Sequence, residues 1–309
     1  MSTPTRKPTG VVLMTYGSAT TSRDVSTFLH HVYPNPSQEL ITEFERRFDV
    51  VGKSPLIDIT ILQAGALQSK LNQSAPGKFI VEAGFLHSEP FIEDAVAKLH
   101  SRGAGNLLGL LLSPQYSPHI MRGYDLALEQ AARQHGYSRG QYAMAGPWSG
   151  EPKFIDLLSR RVKASRAELR ARHGQLPPVV FTTHSLPESV VRRDPSYLNQ
   201  LDETIQGVVA ASGLADGEWH SAFQSAGHTP EAWLKPDLTD VIAGLHSQNI
   251  PAVVIVPIQF LSDHLETLYD LDVAAREETE SGGVHYHRLE APNTDPLFIA
   301  ALSDVVTRL

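Results

Sequence analysis

Cysteine is absent from all 309 residues. Its absence removes disulfides, thiolate nucleophiles, cysteine-type zinc sites and iron–sulfur clusters together, so any metal chemistry must use imidazole, carboxylate or phenol. Equally lacking is an apolar run of the roughly 18 residues that a membrane span requires. The start, MSTPTRKPTG, passes into GVVLMTY without an apolar stretch of signal-peptide length. The expectation is a cytoplasmic protein with no integral membrane segment. Positive charge is in deficit, with 26 Lys and Arg against 34 Asp and Glu and a net charge of −8. That balance speaks against a nucleic-acid partner, and any anionic ligand must meet a few placed arginines. Two common catalytic signatures are missing too: there is no GxxxxGK[ST] loop and no HExxH helix. Gly103-Ala104-Gly105-Asn106-Leu107-Leu108-Gly109 has one residue too many for a dinucleotide loop and precedes a strand, so it reads as a helix-to-strand turn.

What is present points to an α/β protein. At 41% hydrophobic and 19% charged, the chain is long enough for two domains. Short apolar runs at residues 10–16, 78–86, 106–113 and 141–146 predict four strands in the first half. Runs at 178–183, 218–225, 251–257 and 284–289 predict four in the second. Between them lie patterns such as PFIEDAVAKLHSRG (90–103), with Ile92, Ala95, Val96 and Leu99 at helical spacing and a glycine just beyond. Such alternation, run twice, predicts doubly wound parallel sheets covered by helices. GPWSGEP (146–152) is the boundary candidate, giving lobes over 9–149 and 150–294. The final segment, 295–309, is expected to cross back to the first lobe.

The halves echo one another. VVLMTYGS (11–18) resembles VVFTTHSL (179–186), and PQYSPHI (114–120) resembles IQFLSDHL (258–265) with one residue inserted. If the lobes are pseudo-symmetric, Tyr16 and His184 end equivalent first strands, where open α/β sheets bind ligands. Taken alone, His184 is more simply a histidine satisfied by its own turn. The stretch SDHLETLYDLD (262–272) adds Glu266 and Asp270, four apart and therefore on one helical face. Leu265, Leu268 and Leu271 are expected to form its buried side. Here the competing reading is a capping box between Asp263 and Glu266. A strand-end histidine together with a carboxylate makes a divalent-metal site suited to Fe(II), with a proton acceptor included.

Seven stretches in order resemble the ferrochelatase family, most closely its soluble coproporphyrin-specific bacterial members: MTYGS (14–18), GKSPL (52–56), EPFIEDAV (89–96), EPKFIDLLSRRV (151–162), THSLPE (183–188), QSAGHTPEAWLKPD (224–237) and SDHLETLYDLD (262–272). The resemblance implies two similar four-stranded lobes of chelatase type and insertion of Fe(II) into coproporphyrin III as a step of haem biosynthesis. It implies His184 and Glu266 as catalytic and metal-binding residues, and Tyr16 as an axial ligand to the product iron. Arg47, Phe48, Ser54, Tyr124 and Trp233, with Tyr16, are the implied porphyrin-binding residues, and Asp270 and His87 take accessory roles. Fe(II) is then a substrate and no tightly bound cofactor is expected. The resemblance further implies a monomer with a downstream haem-pathway enzyme as partner.

Three departures from the family pattern stand out. Residues 30–38, HHVYPNPSQ, lack the arginines usual there, leaving Tyr33 or Arg122 to substitute. Leu86 replaces a lysine before His87, and Ala274 replaces an acid one turn beyond Asp270. Two alternatives stay open at this point: protoporphyrin IX as the substrate, and a two-lobed protein that binds metal or tetrapyrrole without turnover.

Overall fold

Eight apolar runs become eight parallel strands in a computed structural model that describes residues 7–118, 120–227 and 231–308. In the first unit the order along the chain is β1 (Thr9–Thr15), α1 (Val25–Val32), α2 (Gln38–Val51), α3 (Leu56–Ser74), β2 (Phe79–Phe85), α4 (Ile92–Ser101), β3 (Asn106–Leu111), α5 (Arg122–Gln134) and β4 (Tyr142–Met144). In the second it is α6 (Pro152–His173), β5 (Val179–His184), α7 (Glu188–Arg193), α8 (Ser196–Ser212), β6 (Trp219–Gln224), α9 (Leu238–His246), β7 (Ala252–Pro257), a π-helical segment (Thr267–Ala275), α10 (Arg276–Ser281) and β8 (His285–Arg288). α11 (Pro296–Thr307) closes the chain and packs against α3.

The strands are apolar almost throughout because both sheet faces are covered. Val11, Val12, Leu13 and Met14 are fully buried in β1, and Val253, Val254, Ile255 and Val256 in β7. Residues of α4 and α5 cluster with Val12 and Met14, while α3 packs on β2 outside that cluster. In the second unit Val180, Ala222 and Ile255 share a core with α9 and with Leu271 and Ala275 of the π-helical segment. On that sheet α6 lies against β7 and packs on α8.

The two sheets have the same permuted order, β2-β1-β3-β4 and β6-β5-β7-β8. The pseudo-symmetry expected from two short echoes is therefore a symmetry of topology. In each sheet the winding reverses at the first strand, between β1 and β3 or between β5 and β7, and such switch points leave a crevice at the strand carboxyl ends. The division between units falls after Trp148 and again after Ala291. Trp148 donates from its backbone to Pro114 O and from its indole to Leu111 O, whereas Ser149 binds Glu203 and Thr204 of α8. At the second boundary Arg161 holds the carbonyls of Glu290 and Ala291, and Gln63 of α3 holds that of Asn293.

The glycine-rich run at 103–109 is the α4–β3 turn, with Gly103 at φ 84° donating to His100 O. Among the described residues no single helix is long and apolar enough to cross a membrane; α2 and α3 pass such a test only as a pair bent by 66°. Residues 1–6, His119 of the second echo and His228-Thr229-Pro230 of the QSAGHTPEAWLKPD motif lie outside the described residues.

Candidate active site

The switch point of the second unit gathers the candidate chemistry. β5 ends on His184, and the loop leaving its neighbour β7 runs from Ile258 to His264. Gln259 of that loop accepts the backbone N–H of His184 at 3.1 Å, and its own amide donates to the phenol oxygen of Tyr197. Tyr197 is buried, and burial pushes its phenol up to about 12, so it stays a neutral anchor. The imidazole Nδ1 of His184 lies against the carbonyl of Ser185. A carbonyl only accepts, so in the neutral ring Nδ1 carries the hydrogen and Nε2 keeps its lone pair.

That Nε2 stands 3.8 Å from Oε2 of Glu266. A second imidazole reaches the same oxygen: His264 Nε2 is 3.7 Å away. His264 repeats the tautomeric arrangement, its Nδ1 bound to the carbonyl of Ser262 at 3.0 Å, which leaves Nε2 as the basic nitrogen. Phe260 meets both rings edge-on, with its centroid 6.4 Å from His184 and 4.6 Å from His264. The sequence reading passed over His264. Its spacing from Glu266 fits no helical face, because His264 sits in the non-helical entry to the segment. The signal was the second echo, which aligns it with His119.

Local structure decides between the metal and capping readings of SDHLE. The cap is Thr267, whose hydroxyl accepts the backbone N–H of His264 at 2.8 Å and donates to its carbonyl at 2.9 Å. Asp263 instead meets Arg288 at 3.2 Å, and Arg288 binds Asp272 through two nitrogens at 2.6 and 2.8 Å. Glu266 is the carboxylate that both imidazoles approach. The expected α-helix here is a correction: residues 267–275 form a π-helix with i→i+5 bonds. Its buried residues are Thr267, Leu271 and Ala275, spaced by four, and Leu268 is only half-buried. Asp270 accepts a 2.6 Å bond from Ser225, which follows β6 with φ 54°, the left-handed region a non-glycine residue rarely adopts. Ala274 is exposed.

Among the described residues no three His, Asp or Glu side chains are arranged to cage a metal ion. The two imidazoles approach one carboxylate oxygen without closing around a point. An open set of this kind suits an ion that is passed on more than one that is stored.

The first unit presents a different surface. Tyr16 directly follows β1 and is 44% exposed. Its ring lies 4.5 Å from that of His87, whose Nδ1 is 3.1 Å from Nδ1 of His31, and His31 stacks on Phe91. Burial first, and the neighbouring His31 second, hold the His87 imidazole below its ordinary pKa. Gly17, next in the chain, has φ 96°, and a Cβ there would stand 2.6 Å from the Ser88 hydroxyl and 3.0 Å from its backbone nitrogen. Gly17→Ala is expected to lower stability by about 2 kcal/mol, the scale of left-handed strain plus a clash, measured by urea unfolding.

The implied porphyrin residues are of two kinds. Arg47 bonds Glu43 at 2.9 Å with its guanidinium over Phe44, and with Arg46 it holds the Glu43 carboxyl at about 2. Trp233 is half-buried and bridges to Pro187, and the close approach of Gly227 beneath its ring leaves no room for a Cβ there. Phe48, Ser54 and Tyr124, by contrast, are buried at 2, 2 and 7% exposure. They form backing: Phe48 is the inward face of α2, Ser54 accepts from the Ser18 hydroxyl, and burial beside Tyr16 raises the Tyr124 phenol above its ordinary range.

Residues 8–309 match the sequence profile of the ferrochelatase family. The chain belongs to that family. Among its curated relatives, a coproporphyrin III ferrochelatase of Geobacillus thermodenitrificans is 35% identical over 98% of this chain and 96% of the relative. One of Bacillus subtilis is 33% identical over 98% of each. A ferrochelatase of Deinococcus radiodurans is 34% identical over 98% of this chain and 96% of its own. The fold is shared more widely. SirB from Bacillus subtilis superposes with a TM-score of 0.57 at 13% identity, covering 97% of this chain and 95% of that one. CbiX, from siroheme biosynthesis in denitrifying bacteria, does so with 0.53 at 12%, covering 97 and 98%. The two-lobed chelatase architecture expected from the ferrochelatase resemblance is the one observed.

Proposed function

We propose that this chain inserts Fe(II) into coproporphyrin III, yielding iron coproporphyrin and two protons. The observation that carries the reading is the approach of two imidazole Nε2 atoms, from His184 and His264, to one carboxylate oxygen of Glu266. Membership of the ferrochelatase family and the names of the 33–35% identical relatives supply the reaction and the macrocycle.

Insertion requires two pyrrole N–H protons to leave, the metal to lose water and the ring to distort. His184 Nε2, with its lone pair turned away from the backbone, takes a pyrrole proton, and the N–H electron pair stays on the pyrrole nitrogen to bind iron. The imidazolium so formed faces the Glu266 carboxylate, which stabilises it and receives the incoming cation. His264 stands at the same carboxylate oxygen as a second imidazole. Tyr16 offers its exposed phenol as an axial ligand to the product iron. Arg47 reaches for a propionate while Trp233 walls the ring, with Phe48, Ser54 and Tyr124 fixing the first-unit surface from behind. His87 and Asp270 keep accessory roles. In this reading Fe(II) is a substrate and no cofactor is held. The chain works as a cytoplasmic monomer and hands its product to the next enzyme of the haem pathway.

His264→Phe keeps the ring contact with Phe260 and removes the nitrogen. It is expected to lower the apparent affinity for Fe(II) by about 10–100-fold, the usual effect of losing a group that orients a metal ligand. Anaerobic steady-state kinetics with iron varied would measure it. The function itself is tested by comparing coproporphyrin III with protoporphyrin IX in the same assay. A kcat/KM at least about tenfold higher for coproporphyrin is expected, since two further carboxylates each add a charge-assisted contact. A preference for protoporphyrin would overturn the substrate assignment, and insertion into neither would favour a binding protein.

A further inference from the structure

Gln224 is the last residue of β6 and the register partner of His184. Paired residues on neighbouring parallel strands point to the same face, one strand spacing apart, about 4.8 Å. That face carries Val180 and Ala222 further down the strands and is covered by Leu271 and Ala275 of the π-helical segment. The side chain of Gln224 therefore belongs to the layer between the sheet edge and the segment that Glu266 introduces. It is 4% exposed, and among the described residues neither Oε1 nor Nε2 has a hydrogen-bond partner. Thr182, two residues before His184 on the same face, is fully buried, and its hydroxyl equally has no partner among the described residues. The neighbouring polar groups are committed elsewhere: the His184 N–H to Gln259, its Nδ1 to Ser185 O and the Ser225 hydroxyl to Asp270.

A carboxamide brings two donor hydrogens and an acceptor carbonyl, and burying all of them unsatisfied costs stability that a methionine of similar volume would not. Unpaired buried polar groups call for a functional explanation, and this one stands beside the proposed base and metal ligand.

We propose that Gln224, with Thr182 behind it, is a further iron-site residue whose carboxamide hydrogen-bonds the water shell of incoming Fe(II). This rests on the iron-insertion reading. Oε1 accepts a hydrogen from an iron-bound water, the iron–oxygen bond breaks, and the water departs neutral as His184 and Glu266 take its coordination position. No proton or electron is consumed.

The test is Gln224→Met, followed by thermal unfolding and by anaerobic kinetics with each substrate varied in turn. The melting temperature is expected to equal or exceed that of the wild type, because an unsatisfied amide has been removed. The KM for Fe(II) is expected to rise about tenfold, the worth of one hydrogen bond to a polarised water. The KM for the porphyrin should stay within about twofold. A fall in melting temperature, or failure to fold, would mean that the amide has a structural partner and would overturn the proposal. So would an unchanged iron KM. Thr182→Val provides an independent arm: a two- to fivefold rise in iron KM, roughly, without loss of stability supports the same floor of polar groups, and no change contradicts it. Wild-type protein that inserts no iron would sink the functional reading, whereas an active wild type with an indifferent Gln224→Met sinks this inference alone.

Discussion

His184→Ala is expected to lower kcat for iron insertion by a factor of about 10²–10⁴, the range that a positioned general base contributes. β5 places His184 at the carboxyl edge, Gln259 and Tyr197 fix its backbone, and the Ser185 carbonyl fixes its tautomer. Only Nε2 then remains to accept a proton in the space shared with Glu266. The side chain is one-third exposed and fills no core, so alanine there should unfold nothing. Porphyrin binding, followed by fluorescence quenching, should survive while turnover does not. Loss of binding together with turnover would assign His184 to the macrocycle instead of the proton.

Glu266→Gln is the second large effect. The substitution preserves shape and removes the charge, so it separates electrostatics from packing. Helix capping is unaffected because Thr267 supplies the cap. In the proposed mechanism the two imidazoles then lose both the anion that stabilises their protonated forms and the oxygen that shares the metal with them. A loss on the order of a hundredfold or more in kcat/KM for Fe(II) is expected, comparable to removing one preorganised electrostatic contact. A change confined to the porphyrin KM would contradict this assignment. Glu266→Asp, which retains the charge on a shorter stem, should recover part of the loss.

The sequence made the fold legible because buried parallel strands write themselves as short apolar runs. All eight predicted runs coincide with observed strands, and the turn at Gly103 is the one foreseen. The four-residue spacing of Glu266 and Asp270 was readable, but the π-helix was not. The i→i+5 segment packs against Val180, Ala222 and Ile255, and its buried spacing of four mimics an α-helical stripe. His184 was readable as a strand-end histidine, yet its partner lies far along the chain, so their proximity is a property of the switch point. His264 was hidden by a spacing that belongs to no regular element. Gln224 and Thr182 could not have been found at all, since what distinguishes them is burial without a partner, and that exists only once the chain has folded.

The convergence at Glu266 is proposed to serve catalysis instead of storage. The most direct measurement is anaerobic mixing of Fe(II) and coproporphyrin III in excess over protein, with metalloporphyrin formation followed by absorbance for the wild type and His184→Ala. Many turnovers are expected for the wild type and a rate at least about a hundredfold lower for His184→Ala. Equal rates for the two proteins, or a wild-type reaction that stops at one metal per chain, would contradict the proposal.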